Sequence, residues 1–300
     1  MRYIEIKGKV VKRLGITIVQ RILREFDLGD ERLEGANRER DFGEHALVLC
    51  LFKDLKNLSY GELYDECHRW HSIAQSTLQD NVKRIRRALR VWANSILVPE
   101  PVLVLEKSAR RRHRPSPCTD VCLWVDSSDF MERGKWVISR FDARFSHKTM
   151  SAAQRWLTIL DGKGRVQFVA GPYSPKHYDG DLLIHHAEHL DSIFPSATMI
   201  GDNHFRKAAE FFKSIALITP TSEAGRPAKD PVTGKKWKRE LPEEEQLNNE
   251  IIREVRSTVE SPYGWLSNKF ESLKESFRES EDQHDCLIRF ALACHRLNIK

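Results

Sequence analysis

Between residues 45 and 98 the apolar positions recur at the three- and four-residue spacing of helices that bury one face. The segment "LSYGELYDECHRW" opens on Ser59 with Glu62 three residues later, and "SIAQSTLQDNVKRIRRALRVWANSIL" repeats the device with Ser72 and Gln75, so each reads as a capped helix start. In the second helix Ala74, Leu78, Val82, Ile85, Leu89, Trp92 and Ile96 form one stripe, leaving Lys83, Arg84, Arg86, Arg87 and Arg90 largely on the remaining arc. Two short helices with a tight connection predict a helix-turn-helix. The second helix, starting at Gln75 and Ser76, would face a major groove, with its basic end on phosphates. A solvated basic face on a structural helix is the plainer reading of the same charge run.

From about residue 119 the period changes. "DVCLWVDSSDF" is a short apolar run terminating at Asp126, and "QRWLTILDGKGRVQFVAGPY" reads as a hairpin turning at Gly162, Lys163 and Gly164. A helix over "DGDLLIHHAEHLDSIF", a strand "ATMIGDNHF" ending at Asp202, a helix "HFRKAAEFFK" and a strand "SIALITP" follow. Three antiparallel strands and then strand–helix alternation predict an α/β sheet with a parallel half. Residues 220–246 read as a polar insertion. In "LNNEIIREVRSTVE" beyond it, Ile251, Ile252, Val255 and Val259 share a stripe, with Glu260 at its margin. The predicted organisation is an N-terminal helical region over 1–105, a basic linker over 106–118, and an α/β domain over 119–300.

Composition sharpens this division. The net charge of +6 is uneven: residues 1–115 hold 23 Lys and Arg against 16 Asp and Glu, or +7, and the remainder sums to −1. A polyanion-binding surface is therefore expected in the first third, where the linker "EKSARRRHRPSPC" adds Arg110, Arg111, Arg112 and Arg114 as phosphate contacts or a nuclear address. The longest apolar run, "ALVLCLF", is too short to span a membrane and the N-terminus lacks a secretory apolar core, so a soluble intracellular protein is expected, nuclear if its source has a nucleus and cytoplasmic otherwise. Six cysteines in 300 residues, without paired short spacings, read as reduced thiols. Cys286, Cys294 and His295 fit small buried helix positions better than a zinc site.

Asp126 and Asp202 each follow an apolar strand, and open α/β sheets bind ligands outside strand carboxyl ends. If the strands are neighbours the two acids converge, and a helix crossing the sheet could add Glu260. Gathered carboxylates repel unless cations occupy the site, and hard oxygen donors in low number suit Mg²⁺ or Mn²⁺. Two such ions would support phosphodiester cleavage or transfer. Aspartates at strand ends are also ordinary turn formers, and Asp129, Asp161, Asp179 and Asp181 compete for the role. Asp161 is better explained by the hairpin turn and Asp179 by a helix start. A glycosidase acid–base pair is the third reading, and it leaves the basic N-terminal third without a purpose.

The order of these strings resembles the Harbinger/PIF-type branch of the DDE transposases. "WVDSSDF" is similar to the first-acid context of that family, "VAGPYSPKHYDGDLL" to its hairpin exit and "MIGDNHF" to its second-acid context. "RSTVESPYGWLSNKF" is similar to its glutamate segment, and "LSYGELYDECHRWHSIAQSTL" to its N-terminal helix-turn-helix. The resemblance covers about residue 45 to the C-terminus. It implies a ribonuclease H-like catalytic fold in which Asp126, Asp202 and Glu260 hold two Mg²⁺ or Mn²⁺ ions. The implied activity is a DNA transposase or endonuclease, with element ends and target DNA as partners, a homo-oligomer on DNA, and in the eukaryotic branch a Myb-like accessory protein. A host-recruited nuclease or DNA-binding regulator that no longer transposes is the alternative. The family's arginine after the glutamate is here Ser261, and Pro262 should interrupt the helix just beyond the acid.

Overall fold

The computed structural model describes residues 3–25, 39–67, 74–99, 122–132, 139–162, 164–221, 228–229, 236–237, 241–259, 261–274, 277 and 279–299. The chain begins with helices α1 (Tyr3–Leu14), α2 (Ile16–Glu25), α3 (Glu39–Lys56), α4 (Tyr60–Cys67) and α5 (Gln75–Ile96). Strands β1 (Cys122–Met131), β2 (Phe145–Ser146), β3 (Ser151–Leu160) and β4 (Val166–Tyr173) come next, then α6 (Asp179–His185), α7 (Ala187–Ile193) and β5 (Thr198–Ile200). A 3-10 helix (Asn203–Phe211) leads to β6 (Ala216–Ile218) and a small ribbon, β7 (Ala228–Lys229) with β8 (Lys236–Trp237). The chain closes with α8 (Glu243–Val259), α9 (Ser261–Lys269), α10 (Glu271–Lys274) and α11 (Glu281–Asn298).

The predicted mixed sheet is present. Its hydrogen-bonded order is β4-β3-β1-β5-β6, with β2 on the far part of β3. β1, β3 and β4 pair antiparallel, whereas β5 and β6 run parallel to β1. Side-chain alternation splits the strands between two cores. Leu123 and Val125 of β1, with Leu157 and Ile159 of β3, face α6, α7 and the 3-10 helix. Trp124, Phe130, Trp156 and Leu160 face the opposite way, into a cluster that continues through α9 and α11 to α1–α5. The N-terminal helices thus share a core with the sheet, and α5 lies against α11 on one side and α3 on another.

Local chemistry explains the start of α4 and corrects two expectations. At α4 the capping box forms as expected: the Ser59 N–H donates to Glu62 at 2.6 Å and the Glu62 N–H to Ser59 Oγ at 3.2 Å. At α5 the expected cap does not operate, because Ala74 is the N-cap and makes no side-chain bond, while Ser72 lies outside the described residues. The expected helix at 204–213 is a 3-10 helix, started by Asp202, whose carboxylate accepts the His204 N–H. Within the polar insertion over 220–246 the described residues include the β7–β8 ribbon and the first turn of α8.

The buried charges of α5 produce the largest departure from expectation. Arg86, assigned to DNA contact on its helical arc, is 1% exposed. Its guanidinium is paired with Asp54 of α3, and its Nη1 lies 2.6 Å from Glu279. Lys53 meets the same Glu279 at 2.6 Å and the Tyr60 hydroxyl donates to it at 2.5 Å. The physical reason is the opposite charge available: two carboxylates on elements flanking α5 make burial of the cation tolerable, where solvent would otherwise retain it.

Candidate functional site

The site begins with strand register. β1 and β5 run parallel, with Trp124 opposite Ile200, and strands so paired lie about 4.8 Å apart. Asp126 and Asp202 each stand two residues beyond that last pair, at the carboxyl end of the parallel half of the sheet. Both line one cleft with Trp124, Val125, Ile200, Gly201 and Ile252 of α8. Asp126 itself does not end its strand, as the sequence suggested. β1 runs on to Met131, held by β3, with Asp126 directly across from Thr158. The acid is at the end only of the parallel pairing.

Gly201 lets the two strands approach. A Cβ there would come within 2.9 Å of Val125 Cγ1 and 3.0 Å of Phe205 Cδ2, so no other residue fits between Ile200 and Asp202 without movement. Both carboxylates are partly fixed by their own backbone. Asp126 Oδ1 accepts the Ser127 N–H at 2.8 Å, and Asp202 Oδ1 accepts the His204 N–H at 2.8 Å. Each bond engages one oxygen of its carboxylate.

A third element reaches the same place. α8 is described to Val259 and α9 from Ser261, with Pro262 in the first turn of α9. Glu260, and with it the expected interruption of the helix, lies outside the described residues. Tyr263, three positions on in the chain, is described: the hydroxyl contacts Thr158 Oγ1 at 2.5 Å and donates to the Asp126 carbonyl at 3.4 Å, and its ring meets Phe130 edge-on. Burial, reinforced by the Asp126 charge, pushes the Tyr263 phenol well above its ordinary range, so it stays neutral and acts as a hydrogen-bonding anchor. Thr158 was not identified from sequence. Its signal is a polar residue inside the apolar run "WLTIL".

The competing acids have structural partners. Arg155 of β3 binds both oxygens of Asp129, at 2.7 and 2.9 Å, and one oxygen of Asp179, at 2.9 Å. Asp161 accepts from the Arg165 backbone and side chain and from Gln167, closing the β3–β4 turn as expected. Asp181 is exposed on α6. Lys148, which no sequence signal singled out, reaches the Ser127 carbonyl at 3.3 Å, one residue from Asp126.

The other expected DNA contacts are dispersed. Gln75 and Ser76 are exposed at the start of α5, and Lys83 is half-buried. Arg90 and Arg87 turn toward α11, Arg90 to Asp282 at 3.2 Å and Asp285 at 2.9 Å, Arg87 to Asp282 at 3.6 Å. Of Arg86, Arg87 and Arg90, Arg86 alone is buried, which corrects its assignment to a groove-facing row. Arg110, Arg111, Arg112 and Arg114 lie outside the described residues.

Among the described residues no group of three or more His, Cys, Asp and Glu is arranged to hold a metal ion. The donor set in the cleft is two aspartates, which suits Mg²⁺ or Mn²⁺, since these ions take one or two carboxylates and complete their shells with water and phosphate oxygens. No helix among the described residues is long and apolar enough to cross a membrane. Comparison with protein-family models, with curated proteins and with solved structures returned no match.

Proposed function

We propose that this chain is a metal-dependent DNA transposase or endonuclease that cleaves and transfers phosphodiester bonds, with a ribonuclease H-like core. The observation that carries the reading is the shared cleft of Asp126 and Asp202, two acids far apart in sequence at the carboxyl end of adjacent parallel strands. The strand order, three antiparallel strands followed by two parallel ones on the other side of β1, supports the fold assignment.

Asp126 and Asp202, with Glu260, which follows α8 in the sequence, would hold two Mg²⁺ or Mn²⁺ ions. When bound, such ions lower the pKa of a water or a 3′ hydroxyl and stabilise the departing oxygen. The chain's own contribution is position. Gly201 sets the distance between the two acids, the Ser127 and His204 amides orient one oxygen of each, and Tyr263 fastens the start of α9 to the Asp126 carbonyl. The buried apolar flanks, Trp124 and Ile200, limit water on one side and strengthen charge interactions within the cleft.

The test is strand chemistry. Purified protein is expected to nick or join DNA in Mg²⁺ or Mn²⁺, and Asp202→Asn to lower this to background while DNA affinity stays within a few-fold. DNA binding with a steep salt dependence but no metal-dependent strand chemistry would overturn the enzyme and leave the regulator.

A further inference from the structure

The loops at the active end of the sheet carry exposed cations and two exposed aromatic rings. Phe141 is 96% and Tyr178 74% exposed, unusual for large rings. Their loops are tied together: Lys176 Nζ donates to the Arg140 carbonyl, and Ser174 Oγ donates to the Ala143 carbonyl. Both loops are fastened to the site. The His177 carbonyl accepts from Arg155, which is fixed on Asp129 three residues beyond Asp126, and Lys148 bonds the Ser127 carbonyl. On the other flank, a Cβ at Gly180 would lie 2.6 Å from the His204 carbonyl, so α6 is in direct contact with the segment that begins at Asp202. That 3-10 helix turns Arg206 and Lys207 outward.

Exposed cations on these loops and the 3-10 helix, with exposed rings on the same loops, match what a single nucleic-acid strand needs: charge for its phosphates and flat apolar faces for unpaired bases. A duplex offers no unstacked base to such rings. We propose that this rim binds single-stranded DNA, with Phe141 and Tyr178 stacking on unpaired bases and Arg140, Lys176, Arg206 and Lys207 following the backbone. The proposal rests on the DNA-processing reading above and specifies how that site receives its substrate, as a locally unpaired strand.

The test measures fluorescence anisotropy of the full chain with a labelled mixed-sequence DNA single strand and with the blunt duplex of the same sequence, in chelator. The single strand is expected to bind more tightly. Phe141→Ala and Tyr178→Ala should each weaken it about five- to hundredfold and leave the duplex unchanged, since stacking contributes about 1–3 kcal/mol per base. Arg140→Ala should lower the salt slope for the single strand by about 0.7. Both rings are exposed, so unchanged thermal melts are expected for these variants. Equal affinity of parent and ring variants for the single strand, or parallel losses on both DNAs, would overturn the proposal. Because the binding is read without metal, its failure is separate from failure of strand cleavage in Mg²⁺.

Discussion

At the residue scale, the distance between the two acids depends on an absent side chain. Gly201 is buried between Val125 and the Phe205 ring, and Val125 is a stiff β-branched residue in a strand paired on both sides. Gly201→Ala should therefore shift β5 rather than a flexible tip. The expected outcome is a loss of about 1–3 kcal/mol in chemical denaturation together with a fall in metal-dependent cleavage, in excess of the fraction unfolded. Activity retained at parental level in a folded Gly201→Ala variant would show that the register is not what aligns Asp202. Residue chemistry of this kind is partly visible in sequence. An aspartate after an apolar run announces itself, as Asp126 and Asp202 do, whereas the fate of Asp129 depends on Arg155, which pairing across β1 and β3 brings opposite.

At the element scale, the Tyr263 hydroxyl ties α9 to the sheet by polar contacts in an apolar setting. The Tyr263 hydroxyl satisfies Thr158 directly across from Asp126, and its ring packs on Phe130. Tyr263→Phe keeps the ring and leaves Thr158 without its partner, so a stability loss of about 1–2 kcal/mol is expected in denaturant titration. If α9 also orients the acid before it, cleavage should fall by more than this loss explains, and Tyr263→Phe with parental turnover would separate the anchor from the chemistry. The strands and the long helices were legible because their periods are clean over many residues. Length decided the exceptions. The 204–213 segment has helical spacing but only about two turns between β5 and β6, and the tighter 3-10 form spans that gap. The α5 start was misread because a capping pattern specifies a possible cap, and the chain takes its first helical turn only after Ala74.

At the scale of the whole molecule, the N-terminal helices and the α/β part meet across buried ionisable groups that composition alone could not place. The positive excess of the first third pointed to an external surface, yet Arg86 and Lys53 are drawn inward by Asp54 and Glu279, a pairing invisible until α3, α5 and the segment before α11 are packed. Burial raises the Glu279 carboxyl, but the Arg86 and Lys53 cations outweigh it and hold the group at about 2. On α11, burial lowers His284 to about 3, with Phe277 stacked on its ring, and His295 to about 4. Both signs act in the same direction on acidification. The histidines bind protons in the unfolded chain below about 6.5 but not in the folded one, so their contribution to stability falls from that pH down to about 4 and 3. Glu279 has a folded value below its unfolded one, so its contribution is intact above about 4.5 and is lost as pH falls toward 2. Thermal or urea unfolding is therefore expected to show stability declining by a few kcal/mol from pH 6.5 to 4, with a steeper loss below 4.5. His295→Phe should flatten the upper part of this decline, because an apolar ring takes up no proton on unfolding. A pH profile level between 6.5 and 4.5 in the parent protein would mean that α11 does not bury these imidazoles in their neutral form, and the shared core of helices and sheet would have to be redrawn around an accessible α11.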